Sequence, residues 1–344
     1  MADPHAIDID RLAAWIRANV ADYTGTLSIE KFAGGQSNPT FAVSIDGKPR
    51  YVVRKKPGGV LLPSAHAVDR EYRVMSALRD TDVPVARTHA LCTDDSVIGA
   101  MFFVMDHVAG RTFWDPRLPE LTKDERAAAY ADIARVIAAL HSVDHEAVGL
   151  GDYGRPGNYY ARQIGRWTKQ YRATETETID AMERLIAWLP EHLPAGDETA
   201  IVHGDYRIDN MIFHPEEPRI VALVDWELST LGHPLADFAY HMMAWRLSPE
   251  AFRGLAGTDF AAIGVPDEAQ HIAAYLRRRG QDAIDPAEWE FAIAYNMFRV
   301  ASIRQGVLKR ALDGNASNDR ALEAGRRTRD MAEMAWAQVE RMTI

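Results

Sequence analysis

The sequence predicts an α+β protein, with a strand-rich N-terminal lobe and a mostly helical C-terminal lobe. Short apolar, β-prone runs dominate up to about residue 110, and apolar residues at helical spacing dominate after it. A later pair of β-prone runs, 211–213 and 220–224, flanks the polar turn 214–219 and predicts a hairpin within the helical region. We therefore divide the chain into an N-terminal lobe, 1–109, and a C-terminal lobe, 110–344.

The composition is that of an ordinary globular protein. The chain has 344 residues, of which 47% are hydrophobic and 26% charged, and its net charge of −10 disfavours general binding to nucleic acid or to anionic membranes. No apolar run approaches the roughly 20 residues of a membrane span. The single cysteine, Cys92, cannot form an intrachain disulfide, and the acidic N-terminus does not read as a signal peptide. We expect a cytoplasmic monomer or homodimer without nucleic-acid or membrane partners.

The chain opens with a helix and a strand-turn-strand pattern. Asp8 predicts the N-cap of a helix whose apolar side chains share one face, namely Ile9, Leu12, Ile16 and Val20. Two β-prone runs, 28–32 and 41–45, then flank the turn 33–40. Glycine and small polar residues in this turn let backbone N–H groups approach an anion closely. The candidate phosphate-binding residues of the turn are Gly34, Gly35, Ser37 and Asn38.

The next segments carry a cation and an acid. The strand-like run 50–55 ends in Arg54 and Lys55, which point to opposite faces of a strand, and the helix-like segment 67–78 contains Glu71. A third apolar run, 101–105, completes the predicted sheet. Beyond the boundary, Thr122 and Glu125 predict a capping box and therefore the start of a core helix.

Three side chains around the predicted hairpin point to chemistry: Asp205, Asn210 and Asp225. In an antiparallel pair, Asn210 at the start of the first strand lies near Asp225 at the end of the second. Carboxylate and amide oxygens are hard ligands, suited to Mg²⁺ that holds substrate phosphates. One divalent cation could therefore contact both side chains, with Asp205 just before the hairpin.

These residues resemble the aminoglycoside phosphotransferase-like branch of the protein-kinase-like fold. His203-Gly204-Asp205 followed by Asn210 looks like the catalytic loop of that family, and Val224-Asp225-Trp226-Glu227 looks like its second metal motif. The resemblance implies a two-lobed fold, with an antiparallel sheet and a helix in the N-terminal lobe. It also implies that Asp205 accepts the proton of the substrate hydroxyl, while Asn210 and Asp225 hold Mg²⁺ for ATP.

The resemblance extends to the nucleotide site. The turn with Gly34, Gly35, Ser37 and Asn38 is similar to the family segment that covers the phosphates. Arg54 takes the place of the usual lysine that pairs with Glu71, although the adjacent Lys55 stays open as the alternative. By order along the chain, the adenine is expected at the hinge formed by Met105, Asp106 and Val108.

Three further residues follow from the same resemblance. Arg207, two residues after the candidate base, is expected to offset the charge of the transferred phosphoryl group. Asp237 is expected to support the catalytic loop through hydrogen bonds, and His203 is expected to be structural.

A basic and aromatic segment with helical spacing, 158–172, indicates the class of the acceptor. On a helix Arg162 and Arg166 are four residues apart, with Trp167 alongside. Such a face repels a polycationic aminoglycoside and attracts a carboxylate, a phosphate or a coenzyme A ester. Arg299, in the segment 295–306, is a fourth candidate for the same pocket.

The helix with Arg162 and Trp167, the segment 62–66 and the string 298–306 together resemble a sub-branch of the family. This sub-branch is the kinase-like domain that occurs alone in bacteria and fused to acyl-CoA dehydrogenases in animals. The resemblance implies ATP-dependent phosphorylation of a hydroxyl on a small, anionic molecule, such as a 4-hydroxyacyl-CoA, and functional coupling to an acyl-CoA dehydrogenase.

Several alternatives stay open. The acceptor could be an aminoglycoside or another small alcohol, and the unusual Arg54 suits a pseudokinase that binds without turnover. A metallohydrolase centre would instead use His203, Asp205, Asp225 and His233.

Overall fold

The computed structural model describes residues 7–32, 38–57, 67–314 and 320–342. Gly34, Gly35 and Ser37 of the candidate phosphate loop, and the segment 62–66, lie outside the described residues. The helices are α1 Ile9–Asn19, α2 Val68–Leu78, α3 Lys123–Ser142, α4 Tyr159–Thr174, α5 Asp180–Glu191, α6 Pro234–Arg246, α7 Pro249–Phe252, α8 Phe260–Ile263, α9 Glu268–Arg279, α10 Pro286–Leu312, α11 Arg320–Arg326 and α12 Thr328–Met342. The strands are β1 Leu27–Lys31, β2 Thr40–Ile45, β3 Lys48–Lys55, β4 Thr88–Cys92, β5 Phe102–Asp106, β6 Ala200–Val202, β7 Met211–Phe213, β8 Ile220–Leu223 and β9 Thr230–Gly232.

The chain forms two compact units. The first unit contains Met1–Thr112, Glu146–Leu150 and Asn210–Ser229, and the second contains Phe113–His145, Gly151–Asp209 and Thr230–Ile344. The first unit therefore ends its main segment three residues beyond the predicted boundary. It also takes in the hairpin β7–β8, which lies within the predicted C-terminal lobe, 110–344.

The first unit is built on a five-stranded antiparallel sheet with the order β1-β2-β3-β5-β4. Asp8 caps α1 by accepting a hydrogen bond from Arg11 N, as predicted, and Leu12 and Ile16 of this helix are buried against one face of the sheet. Helix α2 buries Glu71 together with Val74 and Leu78. The predicted strands and helix of this region are confirmed, each within two residues at either end.

The hairpin joins the first unit through backbone pairing with segments that are far away in the chain. Leu223 N donates to Pro84 O at 2.8 Å, and Val85 forms a parallel bridge with Leu223. Arg111 and Phe213 exchange two backbone hydrogen bonds of 2.8 Å. Pairing between segments more than 100 residues apart leaves no local pattern in the sequence.

The second unit is helical and has α10 at its centre. This 27-residue helix is buried over most of its length and contacts α4, α6 and α12. Thr122 and Glu125 form the predicted capping box at the start of α3, which packs against α9. Strands β6 and β9 form a two-stranded antiparallel ladder, and β6 ends directly before the candidate catalytic loop, 203–209. Among the described residues, no helix has the length and apolarity needed to cross a membrane.

Candidate active site

In the first unit, Arg54 bridges two carboxylates. Its Nε lies 2.7 Å from Glu71 Oε2, and its Nη2 lies 2.7 Å from Asp225 Oδ1. Asn38 Nδ2 donates to the other oxygen of Glu71 at 2.7 Å, and both of these side chains are buried. A planar guanidinium can contact two acids at once, which a single ammonium group does less well. Of the two candidate cations, Arg54 is thus the one paired with Glu71.

Lys55 lies on the opposite face of β3. Its side chain is buried. Its Nζ lies near Gly99, 3.9 Å from the position that a β-carbon would take on that glycine. Burial lowers the pKa of Lys55. The alternation of side chains along a strand therefore separates the two cations, as the sequence indicated.

The candidate metal ligands Asn210 and Asp225 are brought together by the hairpin. Met211 pairs with Leu223, and Val224 N donates to Asn210 O at 3.0 Å, so the two ligand residues flank the same end of the ladder. Asp225 adopts a left-handed conformation, with φ 67° and ψ 58°, although it is not glycine. Such strain costs roughly 1–3 kcal/mol and is typical of functional sites. The Asp225 side chain is 38% exposed, so its carboxylate is accessible to a ligand.

The candidate hinge residues follow the register of the sheet. Met105 and Asp106 pair with Val52 and Tyr51 of β3, and Val108 comes two residues after β5 ends. Asp106 N donates to Arg87 O, just before β4, at 2.8 Å, so this donor already has a partner within the first unit. The Asp106 carboxylate contacts His89 Nε2 at 2.6 Å.

In the second unit, Asp205 is held by two neighbours. Tyr240 donates its hydroxyl hydrogen to Asp205 Oδ1 at 2.7 Å, and Arg207 Nε lies 3.2 Å from the same oxygen. Burial alone would raise the pKa of Asp205, but the charge of Arg207 and the hydrogen bond from Tyr240 lower it below its ordinary value. The carboxylate is therefore ionised near neutral pH, as a general base requires.

Asp237, at the start of α6, fixes the backbone of the candidate catalytic loop. His203 N donates to Asp237 Oδ2 at 2.7 Å, and Gly204 N donates to Oδ1 at 2.8 Å. His141 Nε2 completes the contacts of this buried carboxylate at 3.2 Å. The prediction that Asp237 supports the loop is confirmed.

His203 and His233 act as local acceptors. His203 Nδ1 accepts from Asp205 N at 3.3 Å, and His233 Nδ1 accepts from Leu235 N at the same distance, as the N-cap of α6. These contacts serve the loop and the helix. Among the described residues, no group of three or more His, Cys, Asp or Glu side chains is placed to hold a metal ion, as the metallohydrolase alternative requires.

Arg299 holds the same loop from α10. Its Nη2 donates to Gly204 O, and its guanidinium lies over the rings of Tyr240 and Trp167, at 4.8 and 5.6 Å from their centroids. Arg299 and Trp167 are both buried. Arg299 is thus placed to position the catalytic loop.

The other two predicted acceptor residues lie on the outer part of α4. Arg162 Nη2 donates to Arg155 O at 2.6 Å. Arg166 is exposed, with its guanidinium 5.3 Å from the Trp167 ring. The ring of Trp167 therefore has an arginine near it on α4 and another on α10.

A cavity of about 50 Å³ lies beside Arg207 and Tyr240, the two partners of Asp205. Aromatic rings dominate its lining: Trp114, Tyr130, Tyr240, Trp245 and Phe252. Asp209 and Arg253 complete the polar part. None of these residues except Arg207 was predicted from the sequence. Tyr240 had a signal, because it lies one helical turn after Asp237, whereas Trp114 and Arg253 come from distant loops.

The sequence matches a phosphotransferase family model and part of longer proteins that are named acyl-CoA dehydrogenase family members. The family model described as the APH phosphotransferase enzyme family matches residues 28–276. Acyl-CoA dehydrogenase family member 10 of Mus musculus is 45% identical over 96% of this chain, which covers 31% of that protein. Acyl-CoA dehydrogenase family member 11 of Homo sapiens is 41% identical over 92% of this chain, which covers 41% of that protein. The chain thus spans less than half the length of these relatives.

Solved structures with a similar fold include the following two proteins. A protein of Ralstonia eutropha described as a "putative aminoglycoside phosphotransferase" is 53% identical, with a TM-score of 0.89 over 98% of this chain and 99% of that one. Spectinomycin phosphotransferase, solved with ADP and spectinomycin, shares the fold at 13% identity, with a TM-score of 0.63 over 98% of this chain and 100% of that one. The predicted kinase-like α+β fold and the family resemblance are confirmed. The chain belongs to the APH phosphotransferase enzyme family.

Proposed function

We propose that this phosphotransferase moves the terminal phosphoryl group of ATP to a hydroxyl of an anionic small molecule, with Mg²⁺ as the cofactor. The observation that carries the proposal is the environment of Asp205, a carboxylate kept ionised by Arg207 and oriented by Tyr240. A hydroxyl proton needs an acceptor of this kind at the moment of transfer.

Asn210 and Asp225 are suited to hold the metal. They offer one amide oxygen and one partly exposed carboxylate, fixed by the hairpin hydrogen bond between Val224 and Asn210. Bound Mg²⁺ would neutralise phosphate charge and orient the phosphoryl group for attack. Arg54, buried beside Glu71 and Asp225, supplies the fixed positive charge for the nucleotide phosphates.

The chain's own residues then carry out the proton transfer. Asp205 receives the proton from the acceptor hydroxyl as the oxygen attacks phosphorus and the bond to the ADP leaving group breaks. Arg207 offsets the negative charge that develops on the transferred group. Asp237 and Arg299 keep the loop backbone in place through His203 and Gly204.

A hydroxyacyl-CoA is the acceptor that we favour. The names of the relatives, acyl-CoA dehydrogenase family members, support this class of acceptor. Phosphorylation of a hydroxyacyl chain would prepare a substrate for such an enzyme. A polycationic aminoglycoside fits less well, because Asp209, the carboxylate that lines the cavity, is already paired with Arg207 and Arg253. We therefore propose functional coupling to a separate acyl-CoA dehydrogenase.

Substitution of the candidate base tests this function. Asp205→Asn should lower the turnover of ATP with a 4-hydroxyacyl-CoA by at least about 100-fold while ATP affinity stays near that of the wild type. Asp282→Asn, a change of an exposed carboxylate, is the matched control and should leave both unchanged. Turnover of Asp205→Asn at the wild-type rate would exclude Asp205 as the base. An inactive wild type that still binds Mg·ATP would favour a pseudokinase.

A further inference from the structure

We propose that Trp114 and Arg253 are the residues that determine acceptor specificity, by admitting an unbranched carbon chain with an acidic or carbonyl-bearing end to the aromatic cavity. This inference rests on the proposed function and adds the residues that select the acceptor. Nothing in the sequence patterns pointed to either residue, and the two lie 139 positions apart in the chain.

The volume of the cavity limits the shape of its ligand. A cavity of about 150 Å³ is enough to bind benzene, and the cavity beside Arg207 has about 50 Å³. An aminosugar ring is larger than benzene. The cavity is therefore too small for an aminosugar ring, and it admits only a short stretch of a narrow aliphatic chain.

The deep wall of the cavity is apolar because its polar atoms are already satisfied. Tyr130 donates its hydroxyl hydrogen to Pro116 O, and Trp245 Nε1 donates to Pro266 O at 2.9 Å. The two buried rings meet edge to face, with centroids 5.6 Å apart. They present ring carbon to the cavity, which favours a hydrocarbon chain over a polyhydroxylated or charged group.

The rim is polar and accessible. Arg253 is the left-handed residue that ends α7, with φ 51° and ψ 45°, and its side chain is 43% exposed. Its guanidinium lies 5.1 Å from the ring of Trp114, which is 67% exposed. Only Nη2 of Arg253 makes a hydrogen bond within the described residues, to Asp209 Oδ2 at 3.3 Å. Nε and Nη1 are therefore available to a carboxylate or carbonyl oxygen.

Asp209 allows Arg253 to turn towards an acceptor. The carboxylate of Asp209 also accepts from Arg207 Nη2 at 3.0 Å, so its charge stays compensated when Arg253 changes partner. Rotation of an exposed arginine is a small conformational change. The rim thus offers a mobile cation above an apolar slot, which matches a chain with one acidic or acyl end.

Calorimetric binding of an unhydroxylated medium-chain acyl-coenzyme A tests the inference without turnover. We expect Arg253→Met and Trp114→Ala each to raise the dissociation constant about tenfold, since each removes one contact with the ligand. Arg184→Met is the matched control, because Arg184 also lies over a tryptophan ring, that of Trp336 at 5.5 Å, and does not line the cavity. Its affinity should equal that of the wild type.

The outcomes separate this inference from the proposed function. Weaker binding by both rim variants, with normal binding by Arg184→Met, supports it even if the wild type has no turnover. Wild-type affinity in both rim variants, or no binding by the wild type, overturns it even if hydroxyacyl-CoA is phosphorylated. A larger effect of Arg166→Met than of Arg253→Met would also overturn it, since the acceptor would then contact α4.

Discussion

At the scale of single residues, Arg207 and Tyr240 together favour the ionised form of the candidate base, Asp205. The charge of Arg207, whose Nε lies 3.2 Å from Asp205 Oδ1, and the hydrogen bond from the Tyr240 hydroxyl to the same oxygen both lower the pKa of that carboxyl. A lowered pKa means that the ionised form is favoured in the folded protein and is lost only as the pH falls through the lowered value.

Tyr240→Phe should therefore shift the acidic limb of the kcat/KM profile to higher pH. Loss of a hydrogen bond to a charged group should also lower kcat roughly tenfold, with little change in the KM for ATP. A pH–rate series for the variant and the wild type measures both effects. A fall in kcat without a shift of the acidic limb would mean that Tyr240 acts only through packing.

Arg54 offers a second test, because it contacts Glu71 and Asp225 together. Arg54→Met removes the cation beside the buried Glu71 carboxylate and leaves the hydrogen bond from Asn38 in place. Because a buried carboxylate without its cation is costly, the free energy of unfolding should fall by about 3 kcal/mol. Arg54→Lys keeps the charge but cannot fork between two acids as well, so its loss should be smaller. Chemical denaturation gives these values. Equal stability of all three proteins would show that the bridge contributes nothing.

At the scale of elements, the N-terminus of α6 holds the catalytic loop through Asp237. In Asp237→Asn one carboxylate oxygen becomes an amide nitrogen, which faces an N–H donor of His203 or Gly204. The buried loop then lacks an acceptor, so the unfolding free energy should fall by about 2–4 kcal/mol and turnover should fall with it. Thermal unfolding and ATP turnover of this variant check both. Normal stability with lost activity would instead place Asp237 in the chemistry.

The long, periodic elements could be predicted from the sequence, whereas short and distant pairings could not. The caps at Asp8 and Thr122 and the hairpin beside Asn210 left local signals, and the structure contains them. Strands β6 and β9 have three residues each, and the candidate catalytic loop and the hairpin β7–β8 lie between them in the chain. Strands this short show no hydrophobic periodicity in the sequence.

The candidate site likewise contains residues that the sequence could identify and residues that it could not. Asp205, Asn210 and Asp225 stand within one contiguous motif, so their types and spacing identified them. The aromatic cavity is assembled from Trp114, from Tyr240 and from Arg253, which are far apart in the chain. Its lining depends on how helices pack, and no window of the sequence contains that information.

At the scale of the whole molecule, buried histidines link stability to pH. Burial lowers the pKa of His241 from 6.5 to about 4. Because the unfolded chain then binds the proton more readily, this group lowers the unfolding free energy as the pH drops below 6.5, and the loss levels off near pH 4. His241 alone contributes about 2 kcal/mol to the difference between pH 7 and pH 5. Burial lowers the pKa values of His271, His141 and His233 as well, so urea unfolding should give a value at least about 2 kcal/mol lower at pH 5. Equal values at the two pH values would contradict a neutral, buried His241.

The most direct test of the central claim is ATP consumption with Mg²⁺ across a panel of acceptors: 4-hydroxyacyl-CoAs, free hydroxy acids, choline, homoserine and kanamycin. We predict turnover with the hydroxyacyl-CoAs, none with kanamycin and none after chelation of Mg²⁺. Turnover confined to kanamycin, choline or homoserine would contradict an anionic acceptor. The aromatic cavity would then not be the site of an acyl chain.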